Sequence, residues 1–319
     1  MVTKPRRPIR RPRHVPPTDY DVVIVGGGAA GLSAALVLGR CRRRVLLCSS
    51  GAPRNAPAPA MHAFLSRDGT PPQELLRIGR EQLQPYATVE LREACVQAAR
   101  RDPATGTFAL DLDSGATVSA RKVILATGVV DVLPPVPGMR ELWGRGVLHC
   151  PYCHGFEVCE QPLAVYGRGK AVAGFALLLS RWSKDVVVCT DGPAGLTEHA
   201  RRRLRRHGIA VYEQKLTRLV GRRNGQINYL EFADGEKLPR YALFVHPDQQ
   251  PRSDLADQLG CRRLTRGAVW VDKRTMTTVP GVYAAGDATP AAQQVLVAAA
   301  EGAQAAISLN EQLTREECA

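Results

Sequence analysis

Unbroken apolar runs that end in glycine turns recur along the chain, and each predicts a buried parallel strand feeding a helix. Tyr20-Asp21-Val22-Val23-Ile24-Val25 is apolar and β-branched and leads into Gly26-Gly27-Gly28-Ala29-Ala30-Gly31. The Ala- and Leu-rich run Leu32-Ser33-Ala34-Ala35-Leu36-Val37-Leu38 then reads as a helix, and Arg44-Val45-Leu46-Leu47-Cys48 as a second strand. The middle of the chain repeats the pattern. Pro162-Leu163-Ala164-Val165-Tyr166 precedes Gly167-Arg168-Gly169-Lys170-Ala171-Val172, the apolar helix Phe175-Ala176-Leu177-Leu178-Leu179 and the strand Asp185-Val186-Val187-Val188-Cys189. Lys122-Val123-Ile124-Leu125-Ala126-Thr127-Gly128 and Val279-Pro280-Gly281-Val282-Tyr283-Ala284-Ala285-Gly286-Asp287-Ala288 add two more strand–turn segments, the second ending in an acidic residue that opens a helix. Repeated βαβ units of this kind specify an α/β chain with two dinucleotide-binding, Rossmann-like three-layer domains.

The first glycine turn satisfies G-x-G-x-x-G. Gly26 permits the tight turn, Gly28 lets a pyrophosphate approach the backbone, and Gly31 lets helix and strand pack closely. The helix N-terminus, opening at Ala29 and Ala30, offers unpaired N–H groups and a positive dipole end to the phosphates. The acid expected at the end of the next strand is missing. Ser49 and Ser50 stand there, able to hydrogen-bond a ribose hydroxyl without the strength of a charged acceptor. The second glycine turn carries Val172 at the position where glycine or alanine allows close helix–strand contact, so crowding is expected.

Between the two folds lies Cys150-Pro151-Tyr152-Cys153-His154-Gly155. Two thiols at this spacing can close into a disulfide that stores and releases two electrons. The same spacing serves as half of a zinc site, but no second Cys-x-x-Cys and no Cys/His pair at finger spacing accompanies it, so no metal site is expected. Cys-x-x-Cys-His is also the haem-attachment pattern; c-type cytochromes are exported, and the chain shows no signal peptide. His154 titrates near neutrality and can take a proton from an incoming thiol, although a helix-terminus histidine with a purely structural hydrogen bond fits the same position.

These motifs, in this order, resemble the flavoprotein disulfide reductases with two dinucleotide folds, and more narrowly the low-molecular-weight thioredoxin reductase family, over residues 19 to 312. The resemblance implies FAD as cofactor. It implies that Asp287, after Gly286, binds the ribityl or pyrophosphate region, that Gln294 and Val295 lie beside the isoalloxazine where the following helix begins, and that Thr127-Gly128 closes the FAD domain. His62, in Met61-His62-Ala63-Phe64-Leu65-Ser66-Arg67-Asp68-Gly69, falls in a segment that flanks the flavin in relatives, though a lone histidine in an apolar loop is more often packed. Cys153 would face the flavin, Cys150 would exchange with the external thiol or disulfide, and His154 would act as acid–base. The implied organisation is a discontinuous FAD domain, 18–130 and 249–319, an inserted NAD(P)H-binding-like domain, 131–248, carrying the redox pair, and a homodimer.

Two departures from the family pattern bear on activity. Thr190-Asp191-Gly192 stands where the family's His-Arg-Arg segment grips the 2′-phosphate of NADPH, and Arg201, Arg202, Arg203, Arg205 and Arg206 come later, as expected of a solvated basic helix face. His154 replaces the usual aspartate, which makes the motif similar to that of the dithiol oxidases, which pass electrons from small dithiols through FAD to oxygen. The expected function is therefore an FAD-dependent thiol–disulfide oxidoreductase, leaning to a dithiol oxidase. The alternative is an NADPH- or NADH-dependent reductase of thioredoxin or a similar protein.

Composition changes this picture little. The chain has 319 residues, room for two domains, with a hydrophobic content of 45%. No apolar run approaches the ~20 residues of a membrane span. Nine scattered cysteines suit mostly buried free thiols in a reducing cytosol. The formal net charge of +13 is concentrated at the start, where Lys4, Arg6, Arg7, Arg10, Arg11 and Arg13 alternate with Pro5, Pro8, Pro12 and Pro16. Residues 1–17 are expected to be a disordered basic arm. Without interleaved aromatics or a recognition helix, the arm does not read as a nucleic-acid site.

Overall fold

Val22 and Ile24 point to one face of the first strand, Tyr20–Val25, and Val23 and Val25 to the other; all four are buried. Each face therefore needs its own cover. In the computed structural model, which describes residues 17–319, both faces have one. One cluster gathers Val23, Leu46, Val123, Phe108 and Val282, and the other gathers Ile24, Leu47, Ile124, Leu38 and Leu309. Each fully buried side chain of this size contributes roughly 1.5–3 kcal/mol. The basic arm, except for its last residue, lies outside the described residues.

The described residues divide into two compact units, one of residues 17–51, 76–129 and 251–319, the other of residues 52–75 and 130–250. In the first, strands Val89–Glu93, Val45–Ser49, Tyr20–Val25 and Thr117–Leu125 lie side by side and parallel. Thr117–Leu125 is long enough to serve two neighbours. Its first half pairs antiparallel with Phe108–Leu112, and its last residues pair in parallel with Val282–Ala284. Helix Ala29–Arg40 and the C-terminal helix Val295–Glu317 pack together on one face. Their approach depends on Gly302, where a Cβ would stand 2.0 Å from the Ala30 carbonyl oxygen.

The second unit has its own parallel sheet, in the order Ala210–Tyr212, Val186–Cys189, Leu163–Tyr166, Ala242–Val245, Val147–Leu148. It too is covered on both faces, by clusters that include Phe175 and Phe244 on one side and Leu243 and Ile227 on the other. Val172, expected to crowd its neighbours, is accommodated: it is 4% exposed and faces the bare Cα of Gly167.

The segment 52–75, placed inside an 18–130 domain on sequence grounds, lies with the second unit. A buried ion pair holds it there. Arg54 donates through Nε and a terminal nitrogen to the two oxygens of Asp131, at 2.7 Å each, with side-chain exposures of 14% and 6%. Removing one member of such a pair strands a buried charge, so Asp131→Ala should destabilise the protein by about 3 kcal/mol, read as a lowered urea midpoint. An unchanged midpoint would show that the pair does not anchor this segment.

The cysteines are less uniformly buried than expected. Cys48, Cys189 and Cys261 are buried, whereas Cys41, Cys95 and Cys318 are exposed because they fall at turns and at the chain end. Burial pushes the Cys48 thiol up to about 11 and the Cys189 thiol up to about 12, which keeps both protonated and unreactive. Among the described residues no helix is long and apolar enough to cross a membrane, and no group of His, Cys, Asp and Glu has the arrangement of a metal site.

Candidate functional site

Two sets of residues are candidates for the chemistry, one in each unit. In the first unit the glycine turn sits at the C-terminal ends of the parallel strands, where α/β sheets bind ligands. Backbone hydrogen bonds knit the ends together: Gly26 N–H to Cys48 O at 2.8 Å, Ala126 N–H to Val25 O at 2.8 Å, and Ala285 N–H to Leu125 O at 3.0 Å. The three motif glycines divide their roles. A Cβ on Gly26 would lie 2.1 Å from the Ala126 carbonyl oxygen, and one on Gly31 would lie 1.8 Å from the Gly26 carbonyl oxygen. Both are packing glycines. A Cβ on Gly28 would meet nothing within 4 Å, so the bare backbone there opens onto unfilled space beside the helix N-terminus. Gly28 is the N-cap and no side chain caps the helix, which leaves its first N–H groups available. This is a cradle suited to the pyrophosphate of a dinucleotide.

Ser49 is buried against this turn, its Oγ lying 2.3 Å from where a Cβ on Gly27 would stand; Ser50 is exposed. Arg80 was not singled out from the sequence. Its terminal nitrogen approaches Ser49 Oγ at 3.5 Å, and its buried Nε has no partner among the described residues. A guanidinium with an unspent donor stands where the ribose-binding acid is missing, in keeping with a hydroxyl-rich ligand. Thr127 and Gly128 lie at the end of strand Thr117–Leu125 and, with Ala288, line a small cavity.

The Gly286-Asp287-Ala288 turn is a short 3-10 helix, not the start of the long one, and Gln294 is the N-cap of Val295–Glu317. Glu301, one turn and a half into that helix, holds the turn. Its Oε2 accepts from Gly286 N–H at 2.9 Å and from the Thr289 hydroxyl at 2.8 Å. Nothing in the linear sequence marked Glu301 apart from other helical glutamates.

In the second unit Cys150 and Cys153 form a disulfide with Cα atoms 5.3 Å apart. Cys150 caps the short helix Pro151–His154, its carbonyl accepting from Cys153 and His154 N–H at 3.2 Å each. Gly155 lets the turn pack against Trp182, since a Cβ would stand 2.8 Å from the indole nitrogen. Both ring nitrogens of His154 are buried and have no hydrogen-bond partner among the described residues. Burial holds its pKa below the ordinary histidine range, opposed by the Glu157 carboxylate and aided by His62. The ring is thus neutral at neutral pH, with a lone pair available to a thiol. His149 is pushed down to about 4, chiefly by burial and then by Arg54.

His62, set beside the flavin by resemblance, belongs to the second unit. Its ring meets that of His154 edge-on with centroids 6.4 Å apart, and its Nε2 lies 3.4 Å from Glu157 Oε1.

In the second glycine turn a Cβ on Gly169, like one on Gly28, would meet nothing within 4 Å, but here the glycine N–H is already paired within the chain. Gly169 N–H, at the start of helix Gly169–Leu179, donates to Ala194 O at 2.8 Å. Arg168 Nε donates to Thr190 O at 2.6 Å, and a terminal nitrogen donates to Asp191 O. The Asp191 carboxylate accepts from Tyr166 OH at 3.2 Å and from Leu216 N–H at 2.9 Å. The basic helix Glu198–Arg206 turns outward, with Arg201 paired to Glu213 and Arg205 to Glu198.

Residues 20–302 match the family model described as pyridine nucleotide-disulphide oxidoreductase. The chain belongs to that family. Within it the oxidoreductase is similar to thioredoxin reductase tcpT of Claviceps purpurea, at 32% identity over 84% of this chain and 86% of the relative. Among solved structures it resembles HlmI, at 42% identity and a TM-score of 0.89, covering 94% of both chains. It also resembles an oxidoreductase from Agrobacterium tumefaciens, at 33% identity and a TM-score of 0.86, covering 93% of this chain and 99% of that one. This oxidoreductase is thus an FAD-dependent enzyme of the thioredoxin reductase-like group, and the open cradle at Gly28 fits that cofactor.

Proposed function

We propose that the enzyme is a dithiol oxidase: it closes a disulfide in a small dithiol and uses no pyridine nucleotide. The observation that carries this reading is the pairing already made at the second glycine turn. A nicotinamide dinucleotide seated there would have to displace the Ala194 carbonyl from Gly169 N–H. A 2′-phosphate would also meet the Asp191 carboxylate, a like charge where NADPH needs a cation. His154 supports the same reading as a neutral base beside the redox pair.

In this reaction a substrate thiolate attacks the Cys150 sulfur, the Cys150–Cys153 bond breaks, and Cys153 leaves as a thiolate. The second substrate thiol then attacks the mixed disulfide, releasing Cys150 and the oxidised substrate. Two electrons and two protons have now left the dithiol. His154 takes up a proton from each attacking thiol in turn, which keeps the nucleophile ionised. FAD, which the Gly28 cradle would hold, would supply the two-electron acceptor that reoxidises the cysteine pair, with oxygen taking the two electrons and the two protons as hydrogen peroxide. A homodimer follows from family resemblance, and a reducing cytosol suits the exposed free thiols.

The competing reading is an NAD(P)H-dependent disulfide reductase, favoured by the retained βαβ unit around Gly167–Cys189. An anaerobic titration of the flavin absorbance separates the two. Bleaching by a small dithiol and not by NADPH or NADH, with recovery and peroxide on admitting air, is the expected result. Rapid bleaching by a nicotinamide would make the enzyme a reductase.

A further inference from the structure

His154 has a proton to dispose of after each thiol attack, yet among the described residues neither of its buried ring nitrogens has a hydrogen-bond partner. The group across from it is His62, edge-on at a centroid distance of 6.4 Å. Each nitrogen of His62 faces a carboxylate: Nε2 is 3.4 Å from Glu157 Oε1, and Nδ1 is 3.5 Å from Asp68 Oδ1. Asp68 is fixed in that position by the Ala63 N–H, which donates to the same oxygen at 2.8 Å. A neutral imidazole has one N–H and one lone pair, so it can serve only one of two such carboxylates; the protonated ring serves both. Exposure rises outward along the series, from 20% for the His62 side chain to 40% for Glu157 and 69% for Asp68.

We propose that His62, held between Glu157 and Asp68, is the proton outlet of the redox pair. The proton leaves the substrate sulfur for His154, passes to whichever His62 nitrogen carries none once the two rings turn from their resting positions into contact, and goes on to solvent past the exposed carboxylates. No electrons move in this step, and each histidine returns to its neutral form. The groups facing His62 are Asp68 from its own segment and Glu157 and His154 from the segment after Cys153. His154 also faces His149, with Arg54, Asp131 and His246 behind that ring. His62 acts through His154, so it is a positioning and relay residue that touches no reacting sulfur. The proposal rests on thiol–disulfide exchange at Cys150/Cys153, part of the reading above, and does not depend on oxygen as acceptor.

The test follows opening of the Cys150–Cys153 bond in the FAD-loaded enzyme by dithiothreitol, quenched by alkylation and counted by mass. In weak buffer, His62→Gln should slow opening by about tenfold, a part of the 10²–10⁴ that general acid–base groups supply. Added imidazole should restore most of the rate by carrying the proton in place of the missing ring. Glu157→Gln should move the acid limb of the pH profile to lower pH, because the Glu157 carboxylate no longer favours protonated His154. A His62→Gln enzyme with the wild-type rate and profile, or a loss that imidazole leaves untouched, overturns the relay. If His62→Gln does not bind flavin, His62→Asn takes its place, and a wild-type rate or a loss that imidazole leaves untouched overturns the proposal. A wild-type disulfide that no dithiol opens removes the exchange reading itself, a distinct outcome.

Discussion

Cys153→Ser yields a yellow protein with full FAD content and no dithiol turnover. The two halves of this expectation come from different parts of the molecule. The Gly28 cradle is built by backbone in the first unit, and Cys153 contributes nothing to it. The redox step, by contrast, has no substitute thiol. Cys159 is the nearest free cysteine in sequence, and it is held in the Trp182-side turn by its own backbone bond to Phe156 O at 3.2 Å. A serine hydroxyl is a far weaker nucleophile and leaving group than a thiol and cannot form the disulfide. Flavin absorbance and oxygen uptake with a small dithiol measure both halves. Sustained turnover in this variant would remove the cysteine pair from the mechanism.

Gly28→Val and Gly31→Val should fail in different ways, although both break the same motif. At Gly28 the added side chain meets no protein atom within 4 Å, so the apoprotein folds and the valine fills the space of the pyrophosphate. The expected product is a soluble, colourless protein whose circular dichroism matches that of wild-type apoprotein. At Gly31 a Cβ would stand 1.8 Å from the Gly26 carbonyl oxygen, with Leu47 behind it at 3.3 Å. Relief there requires the helix Ala29–Arg40 to move off the sheet, giving up contacts of Ala34, Ala35 and Leu38. Gly31→Val should therefore be recovered unfolded or not at all. Stoichiometric FAD in Gly28→Val would show that the cofactor does not lie against this turn.

Much of this organisation was legible in the linear sequence because it depends on local geometry. Buried parallel strands require unbroken apolar runs, and Val22–Val25, Val45–Cys48 and Val186–Val188 supply them. A backbone that turns tightly into a helix requires glycine, and Gly26 and Gly167 mark those places, while Gly31 marks a close helix–strand contact. The Cys150–Cys153 spacing permits a disulfide, and the bond closes between the N-cap Cys150 and Cys153 in the short helix that follows.

What the sequence could not decide was which side chains meet from distant segments. Arg80 reaching Ser49, and Glu301 holding the Gly286 turn, are long-range contacts with no signature in spacing or composition. Resemblance sets the segment around His62 beside the flavin, and its sequence position sets it inside the first domain. Its membership of the second unit is set by Arg54 against Asp131 and by His62 against Glu157. The second glycine turn makes the difference plain. Its sequence announces a dinucleotide fold, and only the folded loop 190–195 shows that Ala194 O accepts from Gly169 N–H and Thr190 O from Arg168. Periodicity and glycine position determine the backbone frame, because those constraints act between neighbours along the chain. Which groups are left free for chemistry is determined by packing between segments far apart, and that exists only once the chain has folded.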